Sequence, residues 1–192
     1  AHSAERLSLM ADLRMAIDRD ELRLYFQPQI DLATMQVIGA EALIRWQHHE
    51  HGMVLPNSFI PLVEMTASIG LITRWVIDEA MRCCVELNAA GHWLNIAVNL
   101  SARNWHDPQL VSFIEHRLRQ YGVAPKQFTL ELTETTIMHD PSASQLVLDA
   151  ISELGVQVAI DDYGTGYSSL SYLRQLPVDK LKIDRSFVSQ MQ

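Results

Sequence analysis

The chain has 192 residues and a formal net charge of −8, with 48% apolar and 20% charged residues. That balance is globular rather than disordered or fibrous, and the acidic surface argues against binding a nucleic acid polymer. No apolar run approaches the ~18 residues of a membrane span. Nothing reads as a signal peptide, and Cys83 and Cys84 are adjacent with no metal or redox spacing, so a reduced, cytoplasmic chain is expected.

In chain order, residues 3–19 carry Leu7, Met10, Leu13 and Ile17 at helical spacing. Leu22–Ile30 reads as a strand in which Pro28 favours an edge. A short turn, Asp31–Gln36, leads to a second strand, Val37–Trp46 (VIGAEALIRW), which implies an antiparallel hairpin. His48–Leu55 is expected as a loop, and Pro56–Ala90 as two helices broken near Ser68-Ile69-Gly70 and stopped by Gly91. Leu94–Ser101 is a third strand, Asp107-Pro108 caps a helix ending at Gly122, and Gln127–Glu134 is a fourth strand. Asp140-Pro141 caps a helix ending at Gly155, and Val156–Ile160 is a fifth strand. A short helix and a sixth strand, Lys180–Arg185, complete the pattern. From the third strand onward strands and helices alternate, which implies parallel strands with helical crossovers.

The stretch Val156–Leu173 (VQVAIDDYGTGYSSLSYL) ends its apolar run in two adjacent carboxylates, Asp161 and Asp162. Two neighbouring acids repel unless a cation or shared proton offsets them. Side chains alternate along a strand, and the apolar face of each strand must meet the helices. The opposite faces then gather Glu41, Asn99, Glu131, Asp161 and Lys182 toward one centre. Burying these charges unpartnered would cost several kcal/mol each, and oxygen ligands of this type suit Mg²⁺ or Mn²⁺. Plainer readings stand beside these. Asp161-Asp162 could be a helix cap with a solvated neighbour, Lys182 a structural ion pair, and Arg45 a surface arginine packed on Trp46. His48, His49 and His51 are expected in a solvated loop, and Trp75, Met81, Val85 and Leu87 as core stripes of a helix.

These residues also carry a resemblance. The motifs YFQPQID (25–31), Glu41-Ala42-Leu43, VNLS (98–101), ELTE (131–134), DDYGTGYSSL (161–170) and LKIDRSF (181–187) stand in the order and spacing of the EAL-domain family of cyclic di-GMP phosphodiesterases, which the sequence resembles from about residue 20 onward. The resemblance implies a modified TIM (β/α)8 barrel with an antiparallel first strand. It also implies hydrolysis of cyclic di-GMP to the linear dinucleotide pGpG with two Mg²⁺ or Mn²⁺ ions, Ca²⁺ being inhibitory. Glu41, Asn99, Glu131 and Asp161 would bind one metal, and Asp161 would bridge to a second held by Asp162. Lys182 would act on the attacking water together with the ions on Glu41 and Asp161. Arg45, Gln27, Leu43 and Asn99 would line the substrate site. Glu134, Gly164 and Thr165 resemble a loop support coupled to dimerisation.

A homodimer is expected, as is an upstream sensory or GGDEF-type domain joined through residues 1–19 as a connector helix, leaving residues 20–192 as the EAL domain. The chain opens without Met and stops soon after its sixth strand, whereas the family continues for two more strands with EGVE- and QGY-type motifs. A barrel truncated after the sixth strand, weakly stable and weakly active alone, is therefore the expectation. The alternative is a catalytically inactive cyclic di-GMP receptor or protein-interaction domain. One further departure is His48-His49, where the family usually has His-Pro.

Overall fold

The structure, a computed structural model, describes residues 2–64, 66, 68–164 and 175–189. Its strands are β1 (Leu22–Ile30), β2 (Val37–His48), β3 (Gly52–Val54), β4 (Asn95–Asn99), β5 (Phe128–Thr133), β6 (Gln157–Tyr163) and β7 (Lys180–Ile183). They form one sheet in the order β1-β2-β4-β5-β6-β7, with β3 paired to β2 alone. β1 and β3 run antiparallel to β2; the other pairs are parallel. This is the TIM-like architecture expected, with the antiparallel strand first. The helices are α1 (His2–Ala16), α2 (Pro56–Glu64), α3 (Ser68–Ala89), α4 (Ala102–Trp105), α5 (Leu110–Tyr121), α6 (Glu134–His139), α7 (Pro141–Leu154) and α8 (Arg185–Val188). No helix among the described residues is long and apolar enough to cross a membrane.

Alternation builds the core. Ile96 and Val98 of β4, Phe128, Leu130 and Leu132 of β5, and Val158 and Ile160 of β6 are buried together. The same core includes Ile77 and Met81 from α3, Ile114 from α5, and Leu148 and Ile151 from α7. The opposite face of the strands is polar and carries the site. α7 starts where Asp140 Oδ1 accepts from Ala143 N at 3.0 Å with Pro141 in the first turn, as the sequence implies.

Several boundaries differ from expectation. β2 runs on through His48, and a tight turn returns through β3, so His48–Leu55 is a hairpin. The predicted helix after Asp107 is α5, ending at Gly122 with Asp107 Oδ1 accepting from Gln109 N ahead of it; a short helix not predicted, α4, precedes Asp107 and is capped by Ser101, whose side chain accepts from Asn104 N. Glu134 opens α6 rather than closing a strand. Val85 is exposed, off the core stripe of α3. β6 extends past Ile160 to Tyr163, and β7 ends at Ile183. The short helix predicted after the fifth strand lies outside the described residues.

One glycine fixes how close two site-bearing strands come. Gly39 of β2 pairs with Asn95 of β4, and a Cβ at position 39 would stand 2.5 Å from the Asn95 carbonyl oxygen. That neighbour is backbone and cannot swing aside. Gly39→Ala is therefore expected to lower stability by about 2 kcal/mol through overpacking, read as a lowered midpoint in thermal unfolding. A midpoint equal to wild type would show that the two strands separate freely here.

Candidate active site

Strand register sets the site. Across the antiparallel pair, Gln27 faces Glu41, Tyr25 faces Leu43 and Arg23 faces Arg45. In the parallel pairs Asn99 is level with Glu131, and Thr133 with Asp161. Residues level with one another share a face, so Gln27, Glu41, Leu43, Arg45, Asn99, Glu131 and Asp161 all stand on the polar side of the sheet. Between Ile160 and Tyr163 the β6–β7 register shifts, so three steps on β6 span two on β7. Asp161 and Asp162 occupy this bulge, and Asp162 takes φ 54. A bulge bends its strand and re-aims side chains. The two carboxylates therefore lie inside the bulged end of the strand and not in the loop beyond it.

Glu41, Glu131 and Asp161 each offer a carboxylate oxygen within 4.8 Å of the others. Lys182, opposite the bulge, ties all three together. Its Nζ donates to Glu131 Oε2 at 2.6 Å, Glu41 Oε2 at 2.9 Å and Asp161 Oδ2 at 3.1 Å. Asn99 Nδ2 donates to Glu41 Oε1 at 2.7 Å. Glu131 is 1% exposed. Burial pushes its carboxyl up to about 7 against the pull of Lys182, and the charges of Glu41 and Asp161 add to the rise. The Lys182 ammonium is held above its usual range: burial works against it, but the hydrogen bonds and charges of Glu131 and Glu41 prevail. Asp162 is raised as well, by burial and by the charges of Asp161 and Asp184.

The donor set fits a hard divalent cation. It is all oxygen, it converges within bonding reach of a point, and one carboxylate is too buried to carry its charge without a partner. Glu41, Glu131 and Asp161, with the Asn99 amide oxygen, would hold such an ion. Glu134 is buried, and its Oε2 accepts from Gly164 N at 3.3 Å. Gly164 has φ +100, and a Cβ there would meet the Phe187 ring at 2.7 Å, so only glycine is accommodated. Thr165 lies outside the described residues.

Three groups go beyond the candidate site residues, although strand alternation already puts Asn95, Thr129, Gln157 and Lys180 on the polar face. The Tyr25 ring supports Arg45, whose guanidinium carbon stands 5.8 Å from the ring centroid; period-two alternation in LRLYFQPQI carried that signal. A polar layer lies deeper on the same face. Asn95 Nδ2 donates to Gln157 Oε1 at 3.1 Å, Thr129 Oγ1 to Asn95 Oδ1 at 2.8 Å and Lys180 Nζ to Asn95 Oδ1 at 3.3 Å. The histidine segment is the third: His49 and His51 are exposed as expected, and the solvated expectation is corrected for His48 alone. His48 is 3% exposed, stacked on His49 at 4.5 Å and edge-on to Trp46 at 4.7 Å. Its Nδ1 accepts from Glu50 N and His51 N.

Fold and site together define a TIM-like α/β protein with a cluster of carboxylates at the carboxyl ends of its parallel strands. The chain belongs to the EAL domain family, whose profile matches residues 10–192. It is 44% identical over its whole length to the bifunctional diguanylate cyclase/cyclic di-GMP phosphodiesterase MucR of Pseudomonas aeruginosa, covering 28% of that protein. It is 42% identical over 97% of its length to the cyclic di-GMP phosphodiesterase NbdA of the same organism, covering 24% of it. The chain thus spans about a quarter of the length of these relatives. A solved structure of the PaMucR phosphodiesterase in complex with c-di-GMP superposes with a TM-score of 0.92 at 44% identity, covering 95% of this chain and 74% of that one.

The raised Glu131 carboxyl sets a pH dependence. An ordinary glutamate titrates near 4.5 and Glu131 near 7. Between these values the folded state holds a proton that the unfolded chain releases. The contribution to stability is complete below about 4.5 and is lost as pH rises through about 7. In divalent-free buffer, wild type should lose on the order of 3 kcal/mol more than Glu131→Gln between pH 4.5 and 8, measured by chemical or thermal unfolding. Equal pH slopes for the two proteins would remove Glu131 as the strained member.

Proposed function

We propose that this chain is the phosphodiesterase unit of a second-messenger signalling protein, hydrolysing one phosphodiester of cyclic di-GMP to give linear pGpG. One observation carries the reading: three carboxylates and an asparagine from four different strands converge at the carboxyl ends of the sheet, with a lysine in their midst. The names of MucR and NbdA, and the ligand in the PaMucR complex, agree with it.

In this reading Glu41, Asn99, Glu131 and Asp161 would hold one Mg²⁺ or Mn²⁺, and Asp161 and Asp162 would be available to a second. Such ions, when bound, would supply a water of lowered pKa and positive charge to offset that on the reacting phosphate. Lys182 is a firmly protonated ammonium, so it donates and cannot serve as a base: it orients the attacking water and stabilises the developing charge. Arg45 binds a non-reacting phosphate oxygen; its planar fork suits that task. Gln27, Leu43 and Asn99 line the substrate groove beside Glu41. Glu134 steadies the backbone at Gly164, beside which a second ion and a homodimer contact would lie. An upstream sensory or cyclase-type domain, joined through residues 1–19 and working in the cytoplasm, fits the bifunctional name of MucR.

In the intact protein, Glu41→Ala or Asp161→Asn is expected to reduce Mg²⁺-dependent hydrolysis about 100-fold or more while the thermal transition remains cooperative. Near-normal turnover in either variant contradicts the assignment. Retained cyclic di-GMP binding with no turnover in the wild type would instead select a receptor.

Arg45→Ala should raise KM about tenfold with kcat little changed, whereas Lys182→Ala should lower kcat. The opposite split exchanges their roles. Ca²⁺ should bind but support little hydrolysis, because it polarises water weakly and tolerates loose geometry. Turnover with Ca²⁺ equal to that with Mg²⁺ contradicts this.

A further inference from the structure

Glu21 is a buried carboxylate outside the acidic centre, 8% exposed, at the corner between α1 and β1. Its Oε2 accepts from the indole Nε1 of Trp46 at 2.9 Å, and its Oε1 lies 3.1 Å from His49 Nδ1. Its backbone carbonyl accepts from Gln47 N at 2.8 Å, and its own N–H donates to Ala16 O at 2.9 Å. One residue therefore joins the end of α1, the start of β1, two residues near the end of β2 (Trp46 and Gln47) and His49 in the turn beyond it. A carboxylate taken from water needs such partners, and breaking them costs more than a surface contact would. The same corner is reinforced by His48, whose Nε2 stands 3.6 Å from Asp12 Oδ2 on α1.

The face opposite Trp46 is what this corner controls. Arg45 precedes Trp46 and points to the other side of the strand. Its guanidinium donates to Ile44 O at 2.8 Å and lies over Tyr25. Both partners belong to the β1–β2 hairpin, so the arginine goes where that hairpin goes. Directly across from it stands Arg23, a like charge that would repel it. Arg23 is drawn aside by both carboxylate oxygens of Asp20, each at 2.9 Å. The corner residues Asp20 and Glu21 thus clear and brace the place from which Arg45 faces the site.

We propose that Glu21 is a positioning residue: through Trp46 it fixes the end of β2 and thereby the reach of Arg45 toward a substrate phosphate. The proposal rests on the cyclic di-GMP phosphodiesterase reading for its kinetic arm only. In the intact protein with Mg²⁺ and cyclic di-GMP, Glu21→Ala should raise KM about five- to tenfold with kcat within twofold of wild type. Glu21→Gln, which keeps an acceptor for the indole, should recover most of the loss. In an Arg45→Ala background, Glu21→Ala should add less than about a twofold further rise in KM, because the two changes act on one contact. Independent multiplication of the two effects, or a fall in kcat alone, overturns the proposal.

Hydrogen exchange supplies the arm that does not depend on activity. Backbone amides of residues 43–48 should exchange at least about tenfold faster in Glu21→Ala, with those of 96–98 in β4 unchanged. If Glu21→Ala does not fold, Trp46→Phe removes the donor and should show the same exchange and KM changes. Unchanged protection at 43–48 in whichever variant folds overturns the proposal. Loss of wild-type hydrolysis would overturn the functional reading and leave the exchange result to decide this one.

Discussion

Three carboxylates cannot share a volume under 5 Å across unless something positive stands among them, and in this chain Lys182 does. Its three contacts, at 2.6 to 3.1 Å, reach three separate strands, β2, β5 and β6, from a fourth. The arrangement is still short of positive charge, one ammonium against three acids. The deficit concentrates on Glu131, the most buried of the three, whose carboxyl is pushed up to about 7. A site that holds acids together at this cost is poised to take up further cations. The repulsion is a reservoir that a divalent ion would relieve.

Much of the surrounding structure serves that concentration of charge. Gly39 lets β2 and β4 approach, which places Glu41 within reach of Asn99. The bulge in β6 places consecutive aspartates at the sheet end, something a regular strand cannot do because neighbours alternate. Beneath the acids, Asn95, Thr129, Gln157 and Lys180 close the inner side with mutual hydrogen bonds, so the polar face does not leave amides unpaired in the interior. On the outer side, Glu21 and His48 tie the β2 end to α1.

The parts of this organisation governed by side-chain period were legible in the sequence. Alternation alone placed Glu41, Asn99, Glu131, Asp161 and Lys182 on one side of one sheet, and the short Asp31–Gln36 link implied the antiparallel first pair. Caps such as Asp140-Pro141 located a helix start. What depends on long-range pairing was not legible. The β6 bulge is created by register with β7, and α4 and α6 are single turns too short to show a period. His48, His49 and His51 read as a loop because polarity suggests solvent. His49 and His51 are exposed, but His48 is buried edge-on to Trp46, with Asp12 of α1 beside it. Glu21 carries no local signal at all; its importance lies in four partners spread over residues 16 to 49.

If a buried, mutually repelling carboxylate cluster is held by one lysine and ready for a divalent cation, Glu131 reports it in a carboxyl-carbon NMR titration of divalent-free protein, of Lys182→Met and of protein with added Mg²⁺. The predicted midpoint is about 7 in the free protein, higher without the ammonium and lower with Mg²⁺ bound, the cluster titrating as a unit. A midpoint near 4.5 that neither the substitution nor Mg²⁺ moves would contradict the account.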